Sequence, residues 1–408
     1  MNIDDKNFRV WIGCVLLSFL LFWSQCTRPD KDAVYGPNQP DPYPINESAA
    51  SLTKIAPSEA YPTQTITVSG SNFDVGSPDR NFMWFQTTRA IVQRAWAESL
   101  RVEVPVPNPS KPNYFFKDTV RVKIALKGST LWSNSLLFKY KPMADTYVAS
   151  VYPANHPEDK FTKPRGLAFD PSGNLYLVNN RLRSIYKDAP AGGERTVYAF
   201  GGKFDGGMRM GSGGFLYAAG NLDNVVYRIP PGGGSYESWA SVPNPWGLDF
   251  DSAGNLFVVD NVNGHVYKIT ADRQVKKVAT LPGNEAKGYC RVFNGNVYVN
   301  EEGTGNFFKM PTGIDSTGTV EKIQGVTGFV VRDFTFGADG SIYASGSQGG
   351  KNAVVKLSPS SQTSTVVTFD GSLMFMTWGG KFLYIGTSDG PIYRLLIHDN
   401  AAAPYYGM

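Results

Sequence analysis

The sequence predicts an all-β protein: a small two-sheet sandwich over residues 51–142, then a closed ring of six four-stranded sheets over 143–400. Three observations carry this. The 408 residues include 43 glycines, 21 tyrosines and 25 phenylalanines, the make-up of short strands joined by tight turns. Between Leu52 and Tyr140, short runs alternate apolar and polar residues with a period of two. Beyond them, a hydrophobic–aromatic pair recurs at spacings of 40 to 45 residues.

Composition also excludes function classes. With 18% charged and 13% aromatic residues the chain buries enough apolar surface to fold, so it is not intrinsically disordered. The net charge of +4 comes from 39 basic and 35 acidic residues that are well mixed. No basic block or stripe is present, so nucleic acid is not an expected partner.

In chain order, residues 1–25 read as a targeting segment. Val10–Trp23 is an apolar run of 14 residues after Lys6 and Arg9, short of the roughly 20 that span a bilayer. Cys26 follows Ser24 and Gln25 directly. This arrangement resembles the lipobox of bacterial lipoproteins, which implies lipidation of Cys26 and an outer-membrane, cell-surface location. An ordinary cleaved signal and an uncleaved N-terminal anchor are the alternatives. With Cys14 removed and Cys26 acylated, Cys290 stands alone in an apolar run, a buried thiol rather than a nucleophile. Residues 26–50 are proline-rich and aperiodic, a flexible tether.

Residues 51–142 alternate in strands near 65–69, 81–85, 100–105, 119–124 and 136–140. Ile55-Ala56-Pro57, the run Thr65–Phe73, Leu100–Pro105 and Ser135–Tyr140 resemble the IPT/TIG immunoglobulin-like domain. That resemblance implies a spacer or contact module without catalytic residues. Trp96 and Trp132 are expected to pack in its core, with a ligand platform as the alternative.

In residues 143–400 the repeat pairs are Leu175-Tyr176, Leu216-Tyr217, Leu256-Phe257, Val297-Tyr298, Ile342-Tyr343 and Leu383-Tyr384. A second apolar pair follows each, from Ile185-Tyr186 to Ile392-Tyr393. Forty residues of meander cannot close a core alone, so the units stack radially as the blades of a six-bladed β-propeller. The last unit runs short, and a strand from residues 146–152 is expected to complete it and remove an open edge. Gly166–Tyr176 and Gly247–Phe257 are nearly superimposable, and the repeat resembles the NHL family and, more distantly, the gluconolactonase/regucalcin family.

Strand direction fixes one face of the ring. The start of each first strand and the end of each second strand meet beside the axis, which gathers Arg165, Trp246 and Arg332 with Asn179, Asn180, Asn221, Asp260, Asn261, Asn300 and Glu301. Asn and Asp bond hydroxyls, Arg forks onto carboxylates or sulfates, and Trp stacks on a sugar face. Turn capping is the alternative role for the Asx residues.

Three histidines, His156, His265 and His398, fall in unrelated repeat positions, which argues against a metal cluster or a triad. The regucalcin-like resemblance implies a divalent cation such as calcium on Asp260, Asn300 and Glu301, although its acidic ligand in the first blade is replaced here by Arg165 and Gly166. Glu301 and Glu302 point to opposite sides of a strand and cannot act as a close acid/base pair. The expected function is therefore lipid-anchored, non-enzymatic capture of oligosaccharide or polysaccharide as an accessory to glycan uptake, beside an outer-membrane transporter or other surface proteins. No resident cofactor is expected. A metal-dependent lactonase or hydrolase and a protein–protein scaffold are the alternatives.

Overall fold

The computed structural model describes residues 48–107, 118–148, 164–180, 182–189, 195–283, 287–315, 319–323, 325–369, 371–388 and 391–397. The apolar leader, Cys26, His156 and His398 lie outside them. The described chain is all-β, with no α-helix, and it divides after Lys141 into two compact units.

The first unit holds two sheets. One has the order Ser51–Ala56, Thr65–Ser71, Ser99–Glu103, Ile91–Ala95; the other runs Glu59–Ala60, Leu136–Tyr140, Thr119–Leu126, Asn81–Phe85, Thr88–Arg89. Neighbours are antiparallel except Glu59–Ala60, which pairs parallel to Leu136–Tyr140. Period-two alternation delivers Ile66, Val68, Leu100 and Val102 from one sheet, and Met83, Phe85, Val122 and Phe138 from the other, into a single core. Trp96 and Trp132 do not join it: they are 48% and 46% exposed. Trp96 sits in the hairpin turn, its N–H bonded to the Ser99 carbonyl, beyond the reach of the strand alternation. The Trp132 ring lies 4.1 Å from Lys123 Nζ.

The second unit is built from six four-stranded antiparallel sheets, here I to VI. Their inner strands are Pro164–Phe169, Met208–Met210, Pro245–Phe250, Lys287–Phe293, Phe329–Phe336 and Leu373–Gly379. Each repeat pair opens or lies in the second strand of its sheet, from Leu175–Asn179 in I to Phe382–Thr387 in VI. The turn between first and second strands is pinned by the residues that repeat. Asp170 accepts from Asn174 and Asp251 from Asn255 through both backbone and side chain. Gly173 and Gly254 supply the left-handed conformation there, at φ 81° and 79°. Sheet VI takes its outer strand from the start of the unit. Ala144–Val148 pairs with Ile392–Leu396, beginning two residues earlier than the sequence suggested; residues 149–152 lie outside the described residues. Each inner strand packs on the next, and the first packs on the last, so the row of sheets closes.

Charged residues lock this closure at the axis. Arg209 of sheet II bonds Asp249 of III at 3.1 Å, and Asp249 also accepts from Val292 N of IV. Arg291 of IV bonds Asp333 of V at 2.6 Å, and Asp333 accepts from Met376 N of VI. All four side chains are buried. Sequence reasoning missed this clasp, whose signal was the charged series Arg209, Asp249, Arg291 at one repeat position.

Candidate functional site: the axial mouth

The inner strands of sheets I, III, IV, V and VI lose register with their second strands near one end: after Pro164, Pro245, Lys287, Val331 and Leu373. A bulge leaves residues out of the ladder and re-aims their side chains. The residues in these bulges include Arg165, Trp246, Tyr289, Arg332 and Met374. Arg332 thus lies at a bulge inside its strand, which begins three residues earlier at Phe329. Close strand approach is secured by glycine. A Cβ on Gly247 would sit 2.5 Å from Cys290 N and Tyr289 Cα, and one on Gly207 3.0 Å from Trp246 O.

The bulges bring several of these side chains together. The Arg165 guanidinium lies 5.6 Å from the Trp246 ring centroid. Trp246 and Tyr289 are 6.3 Å apart, tilted by 54°, and Tyr289 Oη donates to the Arg165 carbonyl at 3.2 Å. Beneath, Arg291 of the clasp lies 5.5 Å from the Tyr289 ring. Arg332 is exposed, and Glu302 lies within electrostatic reach of both Arg332 and Arg165. Burial pushes the Glu302 carboxyl up, outweighing the pull of those two guanidiniums. Sequence reasoning left Tyr289 out of the site, because the bulge that places it shows only in the strand pairing.

Asp260, Glu301, Asn221 and Asn300 at the second-strand ends are engaged in turns or in the neighbouring bulge. Asp260 is fully buried; its Oδ1 accepts from the N–H groups of Val262 and Asn263, each at 3.0 Å, and its Oδ2 from Asn263 Nδ2. Asn300 Oδ1 accepts from Tyr289 N, fixing that bulge. Glu301 turns toward the outer strands, accepting from Thr304, Asn306 and Lys322. Asn179 is fully buried at the end of its strand, and the Asn180 carbonyl accepts from Arg183 N. Asn221 Nδ2 donates to Asn261 Oδ1 at 3.1 Å, joining the turns of II and III. Asp205 holds the first of these turns through the amides of Asn221 and Leu222. On the same turns Leu222 and Val262 are about two-thirds exposed, an apolar rim at 70% and 68%.

The oxygens of Asp260, Asn300 and Glu301 therefore do not converge, and no group of three or more His, Cys, Asp or Glu suited to a metal occurs among the described residues. Cys290 is fully buried, and burial pushes its thiol up. Elsewhere two clefts, of about 500 and 370 Å³, lie along sheets IV and V. They are lined by threonines, serine, amides, glycine backbone and the apolar Val326, Phe329, Val330 and Val355, without a charged side chain.

No protein-family model matches the chain, and no curated protein matches it. Solved structures do. A Bacteroides thetaiotaomicron protein of unknown function is similar over 89% of this chain and 100% of its own, at TM-score 0.52 and 15% identity. An auxiliary nutrient binding protein from Bacteroides ovatus is similar over 87% and 99%, at TM-score 0.52 and 13% identity. A calcium-binding protein, regucalcin, from Agrobacterium tumefaciens covers 60% of this chain and 93% of its own, at TM-score 0.50 and 15% identity. At such identities the likeness is one of fold: all-β chains with propeller-like sheets.

Proposed function

We propose that this protein is a lipid-anchored surface binding protein that captures oligosaccharide or polysaccharide, without breaking bonds, at the axial mouth of a six-bladed β-propeller. Cys26 carries the lipid, the tether follows, and the first unit is an IPT/TIG-like immunoglobulin sandwich that acts as a spacer. Its two-sheet strand order, with one short parallel edge strand, supports that assignment. Six meander sheets, with the last completed by Ala144–Val148, support the propeller.

The observation that carries the functional reading is the ring of bulges. Five inner strands break register at one level, at bulges that hold Arg165, Trp246, Tyr289 and Arg332, and the first three of these side chains lie together. An aromatic face beside forked donors suits a sugar ring. The nutrient-binding role named for the Bacteroides ovatus protein, which has this fold, is in keeping with it. A lactonase would require Asp260 and Glu301 to leave the turns, and Asn300 the bulge, that they now hold.

Glycan-array and calorimetric binding to the full chain, compared with Trp246→Ala, tests the proposal. Loss of a stacked ring is expected to cost on the order of 1 kcal/mol or more. Sugar binding that ignores Trp246→Ala, or a full panel without a hit, would overturn it.

A further inference from the structure

The mouth has more hydrogen-bond donors than the protein itself satisfies. Elsewhere in the second unit the well-packed arginines have carboxylates: Arg195 has Asp188 at 2.7 Å, Arg209 has Asp249 at 3.1 Å, and Arg291 has Asp333 at 2.6 Å. Arg165 and Arg332 differ in lacking a carboxylate; an unpartnered buried Nε is not itself the distinction, since Arg291 Nε has none either. Among the described residues neither forms an ion pair, and Arg165 Nε is buried with no hydrogen-bond partner. Trp246 Nε1 is likewise buried and unpartnered. The two carboxylates near them do not fill the gap. Asp205 accepts from the Asn221 and Leu222 amides, and Glu302 stays beyond ion-pair distance of both arginines among the described residues.

A buried donor without an acceptor carries a desolvation cost that an incoming acceptor removes. Guanidinium is matched best by a planar or tetrahedral oxyanion, which accepts without donating. A neutral hydroxyl brings a donor with each acceptor and leaves such a site partly unsatisfied. Resting on the saccharide reading of the mouth, we propose that its ligand is an acidic saccharide, whose carboxylate or sulfate groups are taken by Arg165 and Arg332 while a sugar face lies against Trp246.

The test is an array, probed with the full chain, that pairs each acidic glycan with its charge-blocked form: oligogalacturonides with their methyl esters, and sulfated oligosaccharides with their desulfated counterparts. Hits confined to the charged members, at least tenfold stronger than the blocked ones, are expected; the carboxylate and sulfate arms separate the two anions. Arg332→Gln is the decisive variant because that side chain is exposed, and it is expected to weaken charged-glycan binding at least tenfold with an unchanged circular dichroism spectrum. Arg165→Gln is expected to act in the same direction. Equal binding of charged and blocked members, unaffected by Arg332→Gln but weakened by Trp246→Ala, would overturn the charge assignment and keep the mouth. An array with no hits would remove both.

Discussion

Replacing Asp333 by alanine should unlock the ring at its axis. The side chain is 1% exposed. Its Oδ1 accepts from Arg291 Nη2 at 2.6 Å and Phe334 N at 2.7 Å, and its Oδ2 from Met376 N at 2.8 Å. Truncation strands the Arg291 guanidinium, 4% exposed, at roughly 3–5 kcal/mol for a buried charge stripped of its partner. Orphaned amides add about 1–3 kcal/mol, and since the terms overlap we expect about 4–6 kcal/mol in all. That is a large part of the roughly 5–15 kcal/mol that holds a domain folded. Urea unfolding followed through the second unit's tryptophans, with hydrogen exchange to separate the two units, measures it. The pair Arg291→Met with Asp333→Leu removes both charges and should recover most of the loss, since an apolar pair of similar volume is often no less stable. A shift below about 1 kcal/mol for Asp333→Ala, or a double variant as unstable as the single one, would refute the clasp as the element that holds sheets IV, V and VI together.

Asp260→Ala should lower stability by about 1–3 kcal/mol, because two turn amides lose their acceptor, while leaving saccharide binding unchanged by calorimetry; lost binding with an intact fold would make Asp260 a ligand contact. Gly247→Ala should destabilise by about 1–3 kcal/mol through overpacking against sheet IV, read as a lowered melting temperature. Cys290 should resist thiol reagents in the folded chain and react only in denaturant, scored by peptide mapping; prompt labelling would contradict its burial. Burial raises the Glu302 carboxyl, so falling pH neutralises it at a higher pH than an ordinary carboxylate and lifts its repulsion from a bound anion. A sulfated oligosaccharide, whose own charge does not titrate there, should therefore bind more tightly as pH falls through that range. Glu302→Gln should flatten the slope, and a slope that persists in the variant would assign it elsewhere.

Sequence periodicity located the repeating sheets because their signal is local. Leu256-Phe257 and its counterparts mark second strands, and the Asp251–Asn255 turn depends on four consecutive steps of chain. What escaped was non-local. The repeat alignment puts Arg332 at a strand start because a bulge, unlike a turn, has no fixed residue code; only pairing of Val331 with Gly346 and Asp333 with Ser345 reveals it. Asp260 and Glu301 were legible as polar strand ends, but not as acceptors already filled by Asn263 and by Thr304 and Asn306. Trp96 and Trp132 were assigned to a core on their size, whereas their position past the ends of strands decided their exposure.

The bulge residues and the clasp form one stack of contacts. Asn300 fixes the Tyr289 amide, Arg291 underlies the Tyr289 ring, and Tyr289 in turn holds the Arg165 carbonyl beside Trp246. Side chains aimed by bulges lack the ladder bonds that hold an ordinary strand, so their positions depend on the layer beneath. A paired charge layer is suited to that task, because its hydrogen bonds specify one geometry where an apolar floor would tolerate several. On this argument the Arg291→Met, Asp333→Leu variant separates two roles: it should keep its stability yet bind saccharide less well, through disorder at Tyr289. Unchanged affinity in that variant would show that the mouth is held by its own glycine-tight strand contacts alone.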